Sequence, residues 1–163
     1  MSEHYLDRLD WPRLEQQLDQ DGYAVIPSLL SHKACDQVSA LYPRTDPFRS
    51  HVVMARHGFG RGEYKYFSYP LPELVARLRS ALYPRLLPIA NRWHEQMGVP
   101  ERFPETHQAF LARCHAAGQN RPTPLLLQYG AQDYNCLHQD LYGEHVFPLQ
   151  VAILLSEPGE DFT

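Results

Sequence analysis

The sequence has no excess of positive charge: fifteen Lys and Arg stand against nineteen Asp and Glu, a formal net charge of −4 at pH 7. A protein that grips a phosphate backbone along its length needs surplus cations, so any contact with nucleic acid must be local. Cysteine is scarce. Cys35, Cys114 and Cys136 are odd in number and lack the spacing of a zinc site, which argues against a disulfide framework and for a reducing cytoplasm. No apolar run approaches the roughly 20 residues of a membrane helix, and the first residues lack an apolar leader core, so no membrane partner is expected. Internal repeats, blocks of like charge and low-complexity tracts are also missing, which leaves no reason to divide the chain. What is present suits one globular domain: 163 residues, 44% hydrophobic and 12% aromatic, are enough to build a core.

The first two thirds read as support. Asp10 before Trp11-Pro12 starts a helix whose Trp11, Leu14 and Leu18 share one face until Gly22 closes it. Tyr23–Ile26 reads as a strand, and Ser31 caps a second helix with Ala34, Val38 and Leu41 as its buried stripe. His51–Arg56 and Glu63–Tyr69 predict a hairpin joined by the glycine-rich turn 57–62. Its Arg56, Arg61 and Lys65, interleaved with Phe59, Tyr64 and Tyr66, offer cations and stacking faces to a nucleic-acid strand, or else form a solvated sheet edge. Two amphipathic segments, 72–82 and 85–97, are expected to break or bend at Pro84 and Pro88. A further helix over 105–117 would bury Phe110, Leu111 and Cys114. His94, His107 and His115 on these helices read as surface or helix-end residues rather than metal ligands.

The chemistry concentrates later. Leu125–Gly130 reads as a short buried strand, 131–135 as a polar turn, and Leu137-His138-Gln139-Asp140-Leu141-Tyr142-Gly143 as the next strand, followed by an apolar strand over Val146–Leu155. On a strand, residues two apart point to the same side, so His138 and Asp140 would offer an imidazole nitrogen and a carboxylate to one point. That is two thirds of a 2-His-1-carboxylate triad, the non-haem Fe(II) site with open positions for a co-substrate and dioxygen. Phe147, Leu149, Val151, Ile153 and Leu155 predict one bulky face, with Pro148, Gln150 and Ala152 on a roomier one, as in a barrel wall beside a cavity.

The block from Gln128 to Thr163, above all 137–144, 147–150 and 154–163, resembles the Fe(II)/2-oxoglutarate-dependent oxygenases. Within them it is most similar to a bacterial family described as acting in oxidative repair of alkylated DNA. The resemblance implies an α+β fold in which amino-terminal helices pack on a double-stranded β-helix, a cupin-like jelly roll. Residues 1–118 would supply the helical support and the hairpin, and residues 124–163 the first half of the jelly-roll core, in a single domain incomplete at its C-terminus. It also implies metal ligation by His138 and Asp140, with Fe(II) as cofactor and 2-oxoglutarate and O2 as co-substrates, and hydroxylation of a C–H bond. Where that carbon is an N-methyl group, formaldehyde is lost and the base is repaired. Tyr129, nine residues before His138, takes the place of a tyrosine that hydrogen-bonds 2-oxoglutarate in oxidative nucleic-acid demethylases, with Leu127 where those enzymes carry Asn. Tyr142 and Gln150 are pocket-lining candidates from pleat direction alone.

The family pattern would continue with further strands bearing a distal metal histidine and a carboxylate-gripping arginine. Within the sequence, the only histidine after Asp140 is His145, expected at the pocket mouth, and no Lys or Arg follows Arg121. The substrate class stays open between small molecules, protein and alkylated nucleic acid. Unpaired sheet edges would favour self-association. A non-catalytic oxygenase homologue acting as a binding module and a cupin-like metal protein of another reaction class are the competing readings.

Overall fold

The computed structural model describes residues 3–141, 143–157 and 159. The architecture is α+β, helices together with small antiparallel sheets. A short helix α1 (Glu3–Leu6) precedes α2 (Trp11–Asp21), where the Asp10 carboxylate accepts from Arg13 N–H and Gly22 closes the end at φ +77°. The expected strand over Tyr23–Ile26 is absent: Tyr23 and Val25 lie exposed, and no neighbouring strand takes up their backbone. Ser31 caps α3 (His32–Ser39) by accepting from Ala34 N–H, as its spacing predicts.

The main sheet is three-stranded, in the order β1 (Phe48–Val53), β3 (Glu63–Phe67), β4 (Leu125–Gln128), all antiparallel. The hairpin forms, but its first strand begins three residues earlier than expected and ends in a 3-10 turn, Met54–Arg56, that buries Met54. A second, two-stranded sheet pairs β2 (Gly60–Arg61) with β5 (Tyr134–Asn135).

Between β3 and β4 runs α4 (Glu73–Gln96), a single helix through Pro84 and Pro88. The helix is not broken there: both prolines, and Ser80 whose carbonyl the Pro84 ring leaves unbonded, lie on the exposed face, where that carbonyl is open to solvent. Its other face buries Leu78, Leu82, Tyr83, Ile89, Ala90 and His94. α5 (His107–Ala116), capped by Thr106, has no fully buried residue; it touches the core through Phe110. No described helix is long and apolar enough to cross a membrane.

Two clusters hold the layers. Leu6, Leu30, Ala34, Leu78 and Leu82 pack together, with Ile153 and Leu155 laid against them. Tyr83, Phe103, Phe110 and Phe147 form an aromatic cluster with ring centroids 4.9 to 5.9 Å apart. The strand expected over Val146–Leu155 is not formed. A strand needs a hydrogen-bonded neighbour, and no described segment pairs with this one; its apolar side chains dock one by one, while Val151 and Leu154 stay exposed. No jelly-roll sheet is present among the described residues.

Candidate metal centre

The motif hangs from the hairpin. Gly60 (φ +123°) lets β5 come close: a Cβ there would stand 2.2 Å from the Tyr134 carbonyl oxygen. Gly62 (φ +115°) makes room for the Tyr129 ring, 2.7 Å from where a Cβ would lie. Both positions therefore demand glycine. After β5, Cys136 N–H donates to the Phe59 carbonyl (2.9 Å), which ties the start of the motif to the hairpin turn.

Residues 137–141 are not a strand, so the pleat argument for His138 and Asp140 fails in its premise. The two side chains converge nonetheless. His138 Nδ1 lies 2.8 Å from the Cys136 carbonyl oxygen, and that acceptor requires the proton on Nδ1. In the neutral ring Nε2 then carries the lone pair, and it faces Asp140 Oδ1 at 3.5 Å. The other carboxylate oxygen, Oδ2, accepts from Gln150 Nε2 at 3.0 Å. Two donors that bind one ion at adjacent positions stand about 3 Å apart, so the separation is close to what a shared ion needs. Each donor is turned by a partner on its far side, the arrangement that orients ligands in metal sites. Both side chains are roughly half exposed and open to an incoming ion.

No group of three His, Cys, Asp or Glu side chains that could hold a metal occurs among the described residues. His145 does not fold back to make one. Its Nδ1 lies 2.9 Å from Glu101 Oε1, and the Gln119 amide clasps its backbone, donating to the carbonyl at 3.1 Å and accepting from the N–H at 2.9 Å. Glu101 is shared with Arg113 at 3.3 Å. His145 is thus a fastening between the motif segment and the helical layer.

Tyr129, just past β4, is 43% exposed and shares a hydrogen bond with the Asn135 side chain. Partial burial raises its hydroxyl above the ordinary tyrosine value, with Asn135 pulling the other way, so it is a neutral donor at physiological pH. Tyr142 lies outside the described residues. Gln150 sits at Asp140 as the candidate list allowed, while the Cys136 carbonyl and Gln119 were not anticipated. No sequence pattern marks a backbone carbonyl or a lone amide as a clasp.

The helix histidines are structural. His94 is buried against Phe103 with Nδ1 3.0 Å from the Glu101 carbonyl. Burial, then Arg79, lowers His107 to about 4, so it is neutral where Tyr83 packs on it. The hairpin residues divide. Lys65 donates to the Tyr42 carbonyl and lies over the Tyr42 ring, and Arg49 covers Tyr66. Arg56, Phe59 and Arg61 point outward.

Residues 62–163 match a protein family, Oxygenase-NA, described as an oxygenase catalysing oxidative methylation of damaged DNA. Two uncharacterized proteins of Mycobacterium tuberculosis, from strains CDC 1551 / Oshkosh and H37Rv, are each 55% identical over 97 residues, 60% of this chain and 42% of theirs. The chain thus spans under half the length of the curated relatives it matches. No solved structure matches it. The match runs through β3, α4, α5, β4, β5 and the His138–Asp140 segment, and on it the chain belongs to the Oxygenase-NA family of oxygenases.

Proposed function

We propose that His138 and Asp140 are two ligands of an Fe(II) centre in a 2-oxoglutarate-dependent oxygenase that demethylates alkylated nucleic acid, on a jelly-roll core that residues 124–163 begin. The observation that supports it most is the geometry of the pair: the Cys136 carbonyl accepts from the imidazole Nδ1–H, which turns Nε2 toward a carboxylate oxygen 3.5 Å away. An imidazole nitrogen with a carboxylate oxygen suits Fe(II). Bound there with O2 and 2-oxoglutarate, the metal supplies C–H hydroxylation, the co-substrate leaving as succinate and CO2 and an N-methyl group as formaldehyde. The chain's own residues do the rest. Cys136 and Gln150 hold the two ligands in orientation, and Tyr129 donates a hydrogen bond to 2-oxoglutarate. The third ligand of such a triad is not among the described residues beside this pair.

Anaerobic titration with Fe(II), alone and with 2-oxoglutarate, tests this by visible absorption. The expected result is a charge-transfer band that needs both additions and disappears in His138→Ala and Asp140→Ala, with unchanged far-ultraviolet circular dichroism. Metal uptake indifferent to 2-oxoglutarate would place the chain among cupin-like metal proteins of another class. No uptake would leave a binding module of oxygenase ancestry.

A further inference from the structure

The turn that anchors the motif places two cations beside an exposed pair of stacked rings. Its 3-10 segment buries Met54 at 1% exposure and directs the next residues outward, with His57 N–H and Phe59 N–H both donating to the Met54 carbonyl. The His57 and Phe59 rings stack on each other with centroids 5.4 Å apart and planes 24° from parallel. Phe59 stays 47% exposed, and Tyr134, across the two-stranded sheet from Arg61, is 56% exposed. Arg56 and Arg61 flank the pair and form no ion pair with a described residue, whereas Arg44, Arg85, Arg92 and Arg113 each hold a carboxylate. Beyond the β2–β5 pairing, Cys136 links the turn to the candidate metal centre: it donates its N–H to the Phe59 carbonyl, and its own carbonyl accepts from His138 Nδ1–H.

We propose that residues 56–61 form a platform for a single strand of nucleic acid, with a base stacking on the His57–Phe59 pair and Arg56 and Arg61 meeting the flanking phosphates. A neighbouring base is thereby delivered to His138 and Asp140; this delivery rests on the function proposed above, but strand binding does not. A single strand is favoured over a duplex for two reasons. Only unstacked bases present a face to an aromatic pair. A net charge of −4 with two unengaged arginines gives no extended cationic track for a double helix.

Fluorescence anisotropy of the whole chain, without metal, against a short dye-labelled deoxythymidine strand and the same strand in a duplex tests the platform. The single strand is expected to bind at least about tenfold more tightly than the duplex, with log affinity falling against log salt at a slope of about −1.4 for two phosphates. Phe59→Ala should weaken binding about tenfold or more, and Phe59→Trp should restore it. The double substitution Arg56→Ala with Arg61→Ala should flatten the salt slope. These side chains are exposed, so the fold tolerates their loss. The measurement is made without metal, which separates this inference from the metal assignment. Equal affinity for duplex and strand, or unchanged binding by Phe59→Ala, overturns the platform even where the Fe(II) titration succeeds.

Discussion

The helical layer and the segment from 129 to 157 are built on opposite terms. The helical layer buries whole side chains, Ile89 and Ala90 at 0% exposure and Phe103 at 4%, and each helix carries its own backbone hydrogen bonds. The later segment has one two-residue strand and leaves Leu137, Leu141, Val151 and Leu154 in water. It is held at points: Cys136 on Phe59, Gln119 around His145, Phe147 in the aromatic cluster, Ile153 and Leu155 on the leucine cluster. Every residue proposed to ligate the metal or bind 2-oxoglutarate lies on the second kind of structure. The chemistry therefore depends on a few attachments, each of which a single substitution can remove.

The largest effect is expected where the two regions meet. Phe103 packs among His94, Phe110 and Phe147, and Asn91 clasps its backbone from α4, accepting from the Phe103 N–H at 2.8 Å. Phe103→Ala removes a fully buried ring and should cost about 3–5 kcal/mol of unfolding free energy in urea denaturation. Because Phe147 loses its seat as well, helix content and protection of the 129–157 segment should fall in one transition. Two separate transitions would show that the regions do not share this cluster.

A smaller and more selective loss is expected from Gly60→Ala. The backbone there is at φ +123°, and the new methyl group meets the Tyr134 carbonyl, so the strain should reach about 2–3 kcal/mol. It falls on the β2–β5 pairing alone. Limited proteolysis should cut within 131–141 many times faster, while the thermal midpoint read from helix content changes little. An equal fall in both would mean that the motif segment and the helical layer unfold as one unit.

How much of this could be read from residues follows the same division. Asp10, Ser31 and Gly22 act on their nearest neighbours, and both ends of α2 and the start of α3 come out as their chemistry dictates, whereas α3 stops at Ser39, short of Leu41. Pro84 and Pro88 do not break α4, because a proline's cost depends on which face of the helix it occupies, a tertiary fact. Tyr23–Ile26 and Val146–Leu155 have strand-like composition, yet a strand is a property of a pair, and no described segment pairs with either. His138 and Asp140 were chosen from an alternation that the backbone does not adopt; they converge through side-chain bonds to Cys136 and Gln150 that alternation does not encode. The oxygenase family was legible because its residues sit in an unbroken stretch of sequence.

The smallest effect discriminates most finely between support and site. Gln119 reaches from just beyond α5 to both polar groups of the His145 backbone, and Gly143, at φ +89°, has no side chain to obstruct it: a Cβ there would lie 2.4 Å from the Gln119 amide carbon. Gln119→Ala leaves one N–H and one carbonyl to find water at a half-buried position, a loss of about 1 kcal/mol. The helical layer does not depend on this clasp, so its melting should scarcely move. The segment from Asp140 to Gln150 does depend on it, because the clasp fixes the chain midway between the carboxylate and the amide that orients it. Metal affinity in the Fe(II) titration should therefore fall severalfold in Gln119→Ala, and Gln119→Glu should restore only the bond from the His145 N–H and part of the affinity. A fall in melting temperature with no change in metal uptake would mean that the clasp serves the fold alone and that the His138–Asp140 pair is set by Cys136 and Gln150 without help from the helices.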